Sequence, residues 1–430
     1  MRRYCKYTLL LILAMVITPM VAFAQLQEQR ELPRTRIIPY PSAELAAKRE
    51  MTPQRFMQPV IEWETTAEGA FVGEFTYPFS WIDRRIYIRV ERMAQPYEVL
   101  INGKCAGSTS NGHVATEFDI TKISKEDKNR VELRPLGRET VAAIECFESA
   151  ASVPVAYVIS QPRVRVREIS WGATRGKNGI VNVDFAVIMR NETLNHKSSR
   201  LHYDLYLNDT IRLTGGHLDV ALDMHATDTM RFGATLNDSL LWHHGSPTMM
   251  SLRLENRIEN RKSEVYDFPV ALRELRFDDG LFYINGEATP MEWYDMSPTA
   301  TVDQVKSVYN EGHCVIRFGA GMVHSDVLEY CDAQGIYVAL TAPINSSSAG
   351  ESRRRGGNPS NDPKWVDEYV ARVVNLIETT DRHPSVVAYF MADDSANGIC
   401  LYEAYLAAKR VSGHRPVFYT DGGNEWNSDR

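Results

Sequence analysis

The stretch DRHPSVVAYFMADDSAN, Asp381–Asn397, decides how this chain is read. Val386, Val387, Tyr389, Phe390 and Met391, with Ala388 among them, form an unbroken apolar run. Such a run fits a parallel strand covered on both faces. Asp393, Asp394 and Asn397 follow where the strand should stop. In a β/α barrel, the C-terminal ends of the strands carry the reacting groups. Polar residues also end strands for purely structural reasons, so the two aspartates are candidates rather than a motif.

The surrounding segments alternate in the same sense. TVDQVKSVYNEG sets Val302, Val305, Val308 and Tyr309 on one helical face. HCVIRFG reads as a strand. SDVLEYCDAQG reads as a helix, with Ser325 as its N-cap and Gly335 as its stop. IYVALTAP is a strand. WVDEYVARVVNLIETT is a long helix, with Val366, Tyr369, Val370, Val373 and Ile377 facing inward. LYEAYLAAKR (helix) and PVFYTDG (strand) follow the quoted stretch. Residues 271–430 are therefore predicted to hold about five right-handed βα units. Ahead of them, Asn285-Gly286 marks a hairpin turn.

The first part of the chain has a different rhythm. Residues 25–50 read as an extended lead-in. Across 51–162, IYIRVER alternates with Ile86, Ile88 and Val90 on one face, and Asn102-Gly103 supplies a tight hairpin. Phe118 and Ile120 alternate with Glu117 and Asp119. Residues 163–270 contain four more long alternating runs, as in an immunoglobulin-like sandwich.

Three motifs in this order resemble glycoside hydrolase family 2, the β-galactosidase, β-glucuronidase and β-mannosidase group. They are Val99-x-x-Asn102-Gly103-Lys104-x-x-Gly107 with Glu117-Phe-Asp-Ile-Thr121, Cys331-Asp332-x-x-Gly335-Ile336, and His383-Pro-Ser-Val386 before the apolar strand. The resemblance implies a jelly-roll domain over 51–162, an immunoglobulin-like sandwich over 163–270 and a partial (β/α) TIM-type barrel over 271–430. It implies a β-linked glycan as the ligand; the residues themselves show no cofactor or metal motif, and none is expected. The family's strand ends in Gly-Asn-Glu, where the Glu is the general acid/base; here Ala392, Asp393 and Asp394 stand there. Asp394 thus takes the acid/base position. Asp393, Asn397, Trp293 and Arg317 are the expected substrate contacts. Arg317 is the retained Arg of a motif whose other residues are replaced by Ala320, Gly321 and Met322; a structural ion pair inside the barrel is its alternative role. Five units leave a sheet with open edges and no counterpart of the family's seventh-strand nucleophile. A second copy or a complementing chain is therefore expected beside it, and a non-catalytic glycan-binding role stands as the alternative to hydrolysis.

Composition narrows the rest. Arg2, Arg3 and Lys6 precede an apolar run from Leu9 to Val21, and Ala22-Phe23-Ala24 fits a signal-peptidase site. Residues 1–24 therefore read as a cleavable signal, and the chain as periplasmic or secreted. Removing those three cations takes the formal charge from −7 to −10. That balance argues against nucleic acid, and against a membrane after cleavage. The cysteines show no C-x-x-C spacing; a Cys105–Cys146 bridge is conceivable in an oxidising compartment. The Ser/Gly-rich Asn345–Asp362 with Arg353-Arg354-Arg355 reads as a solvated loop, with an anion-gathering lid as its alternative. Glu425 reads as a loop residue near the terminus. Tyr294 and Trp426, like Trp293, are aromatics able to stack on a sugar ring.

Overall fold

The computed structural model describes residues 30–31, 36–147, 153–258, 264–354, 356–423 and 425–430. The signal-like stretch 1–24 lies outside the described residues. Among those described, three bodies follow one another along the chain.

The first is a sandwich of two five-stranded antiparallel sheets. One contains Arg85–Arg92 between Thr116–Asp119 and Val155–Gln161; the other contains Phe71–Tyr77, Asp127–Pro135 and the hairpin Tyr97–Ile101/Lys104–Thr109. Asn102 and Gly103 turn that hairpin with φ of 52° and 77°, both positive as a two-residue turn requires. Ile86, Ile88 and Val90 pack with Phe118, Val99 and Val131 between the sheets. The outer face of Arg85–Arg92 is also buried: Tyr87 and Arg89 are covered, so alternation there does not separate core from solvent. Glu117, likewise buried, pairs with Arg89 at 3.2 Å.

Residues 36–50 form part of that cover, and they are not wholly extended. Ala43–Lys48 is a helix, started by the Ser42 side chain accepting from the Leu45 N–H. Tyr40 bridges Val265 of the second body, and Arg49 meets the fully buried Asp267 carboxylate at 2.6 Å.

The second body packs a three-stranded sheet (Val164–Arg175, Ile180–Asn191, Thr227–Asn237) on a four-stranded one (Ile211–Leu222, Lys197–Leu207, Met250–Ile258, Glu264–Val270). Both are antiparallel and share one core, including Phe185, Leu201, Leu252 and Tyr266.

The third body is a five-stranded parallel sheet in sequential order: β1 (Tyr294–Met296), β2 (Val315–Ala320), β3 (Tyr337–Thr341), β4 (Val386–Phe390) and β5 (Val417–Phe418). Helices α1 (Val302–Asn310), α2 (Ser325–Gln334), α3 (Val366–Thr380) and α4 (Ile399–Val411) connect them and cover one face. Thr301 and Gln304 close a capping box on α1. Ser325 is the first residue of α2 rather than its cap; His324 takes the cap position with no side-chain bond. Gly335 ends α2 at φ 74°. The other face of the sheet meets a meander, Leu275–Asp278, Leu281–Ile284 and Glu287–Thr289. Phe282, Trp293, Phe390 and Phe418 pack there edge to face or tilted, with centroids 5.3–6.3 Å apart. Each fully buried large apolar side chain of β4 contributes roughly 1.5–3 kcal/mol. This two-sided cover explains its unbroken apolar run.

The lower end of β4 is fixed by charge. The Val386 carbonyl accepts from Arg273 at 3.1 Å and Arg415 at 2.8 Å. The Asp332 carboxylate accepts from the Ser385 N–H and hydroxyl and contacts His383 Nδ1 at 2.7 Å. Trp242 of the second body is fully buried, its indole N–H donating to the Asp332 carbonyl at 2.8 Å.

Candidate active site

Asp295, Met296, Arg317, Gly319, Asp393, Asp394 and Thr420 line an open cleft of about 340 Å³. They come from the C-terminal parts of β1, β2, β4 and β5, or from the turns just beyond. The parallel register makes this convergence: Asp295 lies beside Arg317, and Met296 beside Phe318.

The two neighbouring aspartates have different surroundings. Asp393 continues the strand direction, its N–H donating to the Ile344 carbonyl at 2.9 Å. One carboxylate oxygen pairs with Arg317; the other accepts from the Ala320 N–H at 2.6 Å. A Cβ at Gly319 would stand 3.2 Å from that oxygen, so glycine leaves room for the contact. Arg317 also reaches Asp295 at 3.1 Å, and its guanidinium lies 4.5 Å over the Phe390 ring. The cation is thus shared by two carboxylates and held over an aromatic face.

Asp394 turns away. Its φ is 30°, in the left-handed region that Asp enters more readily than most residues. The turn exposes its side chain, and among the described residues no hydrogen bond or ion pair engages that carboxylate. Asp421 lies nearby: burial pushes its carboxyl up, and the charges of Asp394 and Asp393 add to the effect. Negative charge therefore gathers at this rim.

The other expected contacts lie elsewhere. Asn397 is buried, and its amide makes a reciprocal pair with Asn427 at 3.0 and 2.8 Å. That pair occupies its polar atoms, so Asn397 closes the β4–α4 turn instead of facing the cleft. Trp293 is partly buried and packs edge to face on Phe282 and Phe390 against the core. Trp426 is 56% exposed and stacks on Tyr402 at 5.4 Å. Glu425 is tied down by Arg353 at 2.7 Å and by the Tyr402 hydroxyl, and those two donors hold its carboxyl low.

The solvated-loop reading of Asn345–Asp362 fails at both of its ends. Asn345, Ser346, Asn358 and Ser360 are buried, with Ser346 Oγ 2.8 Å from Asn358 Oδ1. Asn358 also donates to the Ser346 and Gly350 carbonyls. These side-chain bonds replace the apolar contacts that the composition lacks. Cys105 and Cys146 are free thiols; Cys146 Sγ lies 2.9 Å from Ser348 Oγ.

One functional feature escaped sequence reasoning. Arg372 is fully buried on the inward face of α3, beside Tyr369 and Val373. Its position, three residues after an inward Tyr and one before an inward Val, was the signal available. Its partner, Glu145, comes from the first body, at 2.6 Å.

Residues 323–429 match the family described as "Glycosyl hydrolases family 2, TIM barrel domain". A β-galactosidase of Yersinia enterocolitica is 21% identical over 385 residues, covering 83% of this chain and 36% of that protein. A β-galactosidase of Psychromonas ingrahamii is likewise 21% identical, over 379 residues, with the same coverage. This chain therefore spans 36% of the length of these relatives. The crystal structure of Bacteroides uniformis β-glucuronidase superposes with a TM-score of 0.67 at 16% identity, covering 87% of this chain and 47% of that one. A glycosyl hydrolase family 2 member from Bacteroides cellulosilyticus gives 0.67 at 12% identity, covering 81% and 49%. At these identities the structural likeness speaks to fold.

Proposed function

This chain belongs with glycoside hydrolase family 2, and on that premise we propose that its cleft receives a β-linked glycoside and that Asp394 is the proton donor to the departing oxygen. The observation that carries this is the division of labour between two adjacent carboxylates. Asp393 is neutralised by Arg317 and the Ala320 N–H, whereas Asp394 stands exposed at the strand end with its oxygens available. General acid catalysis needs a carboxyl group within reach of the leaving oxygen, and such groups contribute about 10²–10⁴-fold.

In this reading Asp394 gives its proton to the glycosidic oxygen as the bond to the anomeric carbon breaks. It then takes a proton from the water that completes hydrolysis. The second carboxyl group of such a pair is not assigned among the described residues. Asp is one methylene shorter than Glu, so its oxygens sit about 1.5 Å back. A displacement of about 1 Å can cost on the order of 10²-fold in rate. The basic and apolar N-terminal stretch supports an exported protein.

A second reading has a specific observation behind it. The ion pair of Arg317 with Asp393 and the short side chain at a left-handed corner also suit a cleft that binds glycan without cleaving it, with another chain beside the open sheet.

The test is turnover of aryl β-galactoside, β-glucuronide, β-mannoside and β-glucoside by wild type, Asp394→Ala and Asp394→Glu. The proposal expects turnover of at least one glycoside, lost in Asp394→Ala and retained or raised in Asp394→Glu. Turnover that survives Asp394→Ala removes Asp394 from the mechanism. Saccharide binding without turnover favours the second reading.

A further inference from the structure

A strap from the first body is built into the rim of the parallel sheet. Val141 and Ile144 are buried in the barrel core with Phe318 and Leu340. Beyond them the chain runs extended along the rim. The Ile144 carbonyl accepts from the Asn345 N–H at 2.8 Å, and the Cys146 N–H donates to the Asn345 carbonyl at 2.9 Å. Glu145 and Asn345 form a parallel bridge, and Asn345 and Asp393 form the next one. Three extended segments thus lie side by side, and the third carries Asp393 into Asp394.

The strap is anchored by one buried ionic contact. The Glu145 side chain is 2% exposed and the Arg372 side chain 0%. Arg372 Nη2 stands 2.6 Å from Glu145 Oε1, an ionic contact without hydrogen-bond alignment. His113 Nε2 lies 3.4 Å from the same oxygen. Burial alone would raise the Glu145 carboxyl, but His113 and Arg372 hold it low. Arg372 also donates to the Pro343 carbonyl at 2.7 Å and to Glu368 at 2.8 Å. One guanidinium therefore grips both the strap and the segment it pairs with. A buried pair of this kind adds little net stability, but removing one partner strands a charge. Its clearest effect is to fix register.

We propose that Glu145, acting through Arg372 and the Ile144–Asn345–Asp393 ribbon, is a positioning residue for Asp394. The inference rests on the function proposed above for its catalytic meaning. Its structural content is a coupling between residue 145 and the loop after β4.

The experiment is hydrogen exchange by mass spectrometry on the full chain, as wild type, Glu145→Gln and Cys146→Pro. Cys146→Pro removes the donor to the Asn345 carbonyl, together with the thiol contact to Ser348, and leaves the charges in place. In both variants, exchange across 344–346 and 391–397 is expected to speed up about tenfold or more. Exchange in the sheets of the second body is expected to stay within about twofold. Unchanged exchange at 391–397, with the strap itself loosened, overturns the inference. So does a uniform increase across all three bodies, because Glu145 would then serve global stability alone. If Glu145→Gln does not fold, Cys146→Pro decides between the same outcomes. On a glycoside that the wild type cleaves, Glu145→Gln is expected to lower kcat with KM unchanged. Failure of the whole glycoside panel, with exchange altered as expected, would sink the proposed function and leave the coupling intact.

Discussion

Replacing Arg317 with methionine removes the cation that Asp295 and Asp393 share. The Asp393 side chain is 21% exposed and that of Arg317 17%, between a surface pair and a buried one. Exposed pairs are worth about 0–1 kcal/mol, whereas stranding one partner of a buried pair costs about 3–5 kcal/mol. The Ala320 N–H still serves one Asp393 oxygen, and a methionine side chain keeps contact with the Phe390 ring. Between those limits, Arg317→Met is expected to cost about 2–3 kcal/mol. Asp393→Asn alone leaves Arg317 with Asp295 and costs less. In the double variant only the well-exposed Asp295 carboxylate is left beside the missing guanidinium, and solvent screens it, so the cycle should return a coupling of about 1.5–2.5 kcal/mol. The assay is urea unfolding of the four proteins followed by tryptophan fluorescence, where Trp293 packs on Phe390. Three bodies need not unfold together, so midpoints are compared only where slopes agree. A coupling below about 0.5 kcal/mol would refute the reasoning. Asp393 would then be free for chemistry, and the roles given to the two aspartates would have to be exchanged.

Three further outcomes are expected. Burial alone would depress the His383 imidazole, but the Asp332 carboxylate overrides it and raises it. The stability from that pair is thus fully present below the ordinary histidine value, about pH 6.5. It is lost as pH rises through the folded value, so the urea midpoint should fall from pH 6 to 9 more steeply in wild type than in His383→Gln. At Gly335, φ is 74° and a Cβ would stand 3.0 Å from His244 Cα; at Gly312, φ is 101° with nothing within 4 Å. Gly335→Ala is therefore expected to cost about 1–2 kcal/mol, and more than Gly312→Ala, by thermal unfolding. Burial, with help from Glu98, pushes the Cys105 thiol up to about 11. Peptide mapping after iodoacetamide treatment at pH 8 should find half-exposed Cys146 labelled before Cys105 and the buried Cys331 and Cys400.

What the sequence made legible was whatever depends on near neighbours. The apolar run of β4 and the faces of α1 and α3 are local patterns, and the Asn102-Gly103 and Asn285-Gly286 turns follow from backbone angles. So was the convergence of Arg317, Asp393 and Asp394, because parallel strands end on one rim. What stayed hidden depends on partners far along the chain. Asn397 has the composition of a ligand contact, but Asn427 takes its amide. Trp293 has the chemistry of a sugar platform, but Phe282 and Phe390 claim its ring. Asn345–Asp362 has the composition of a mobile loop, yet Ser346 and Asn358 fold it on themselves. Arg372 on a helix face says nothing of Glu145 until two bodies meet.

The lead-in has a consequence for how the chain is made. Tyr40 pairs with Val265, Arg49 with Asp267, and Arg36 reaches Glu329 at 3.6 Å. These residues leave the ribosome early, and their partners are the last strand of the second body and a helix of the third. At about 5–20 residues per second, Tyr40 waits roughly 10–50 s for Val265 to be synthesised. For about the second half of that interval Tyr157 and Ile159 are already made, while Val265, which shares their cluster with the lead-in, is still missing. The outer sheet of the first body is thus a nascent-chain hazard until Val265 has been made. A chaperone that acts on the unfinished chain would find its binding surface there.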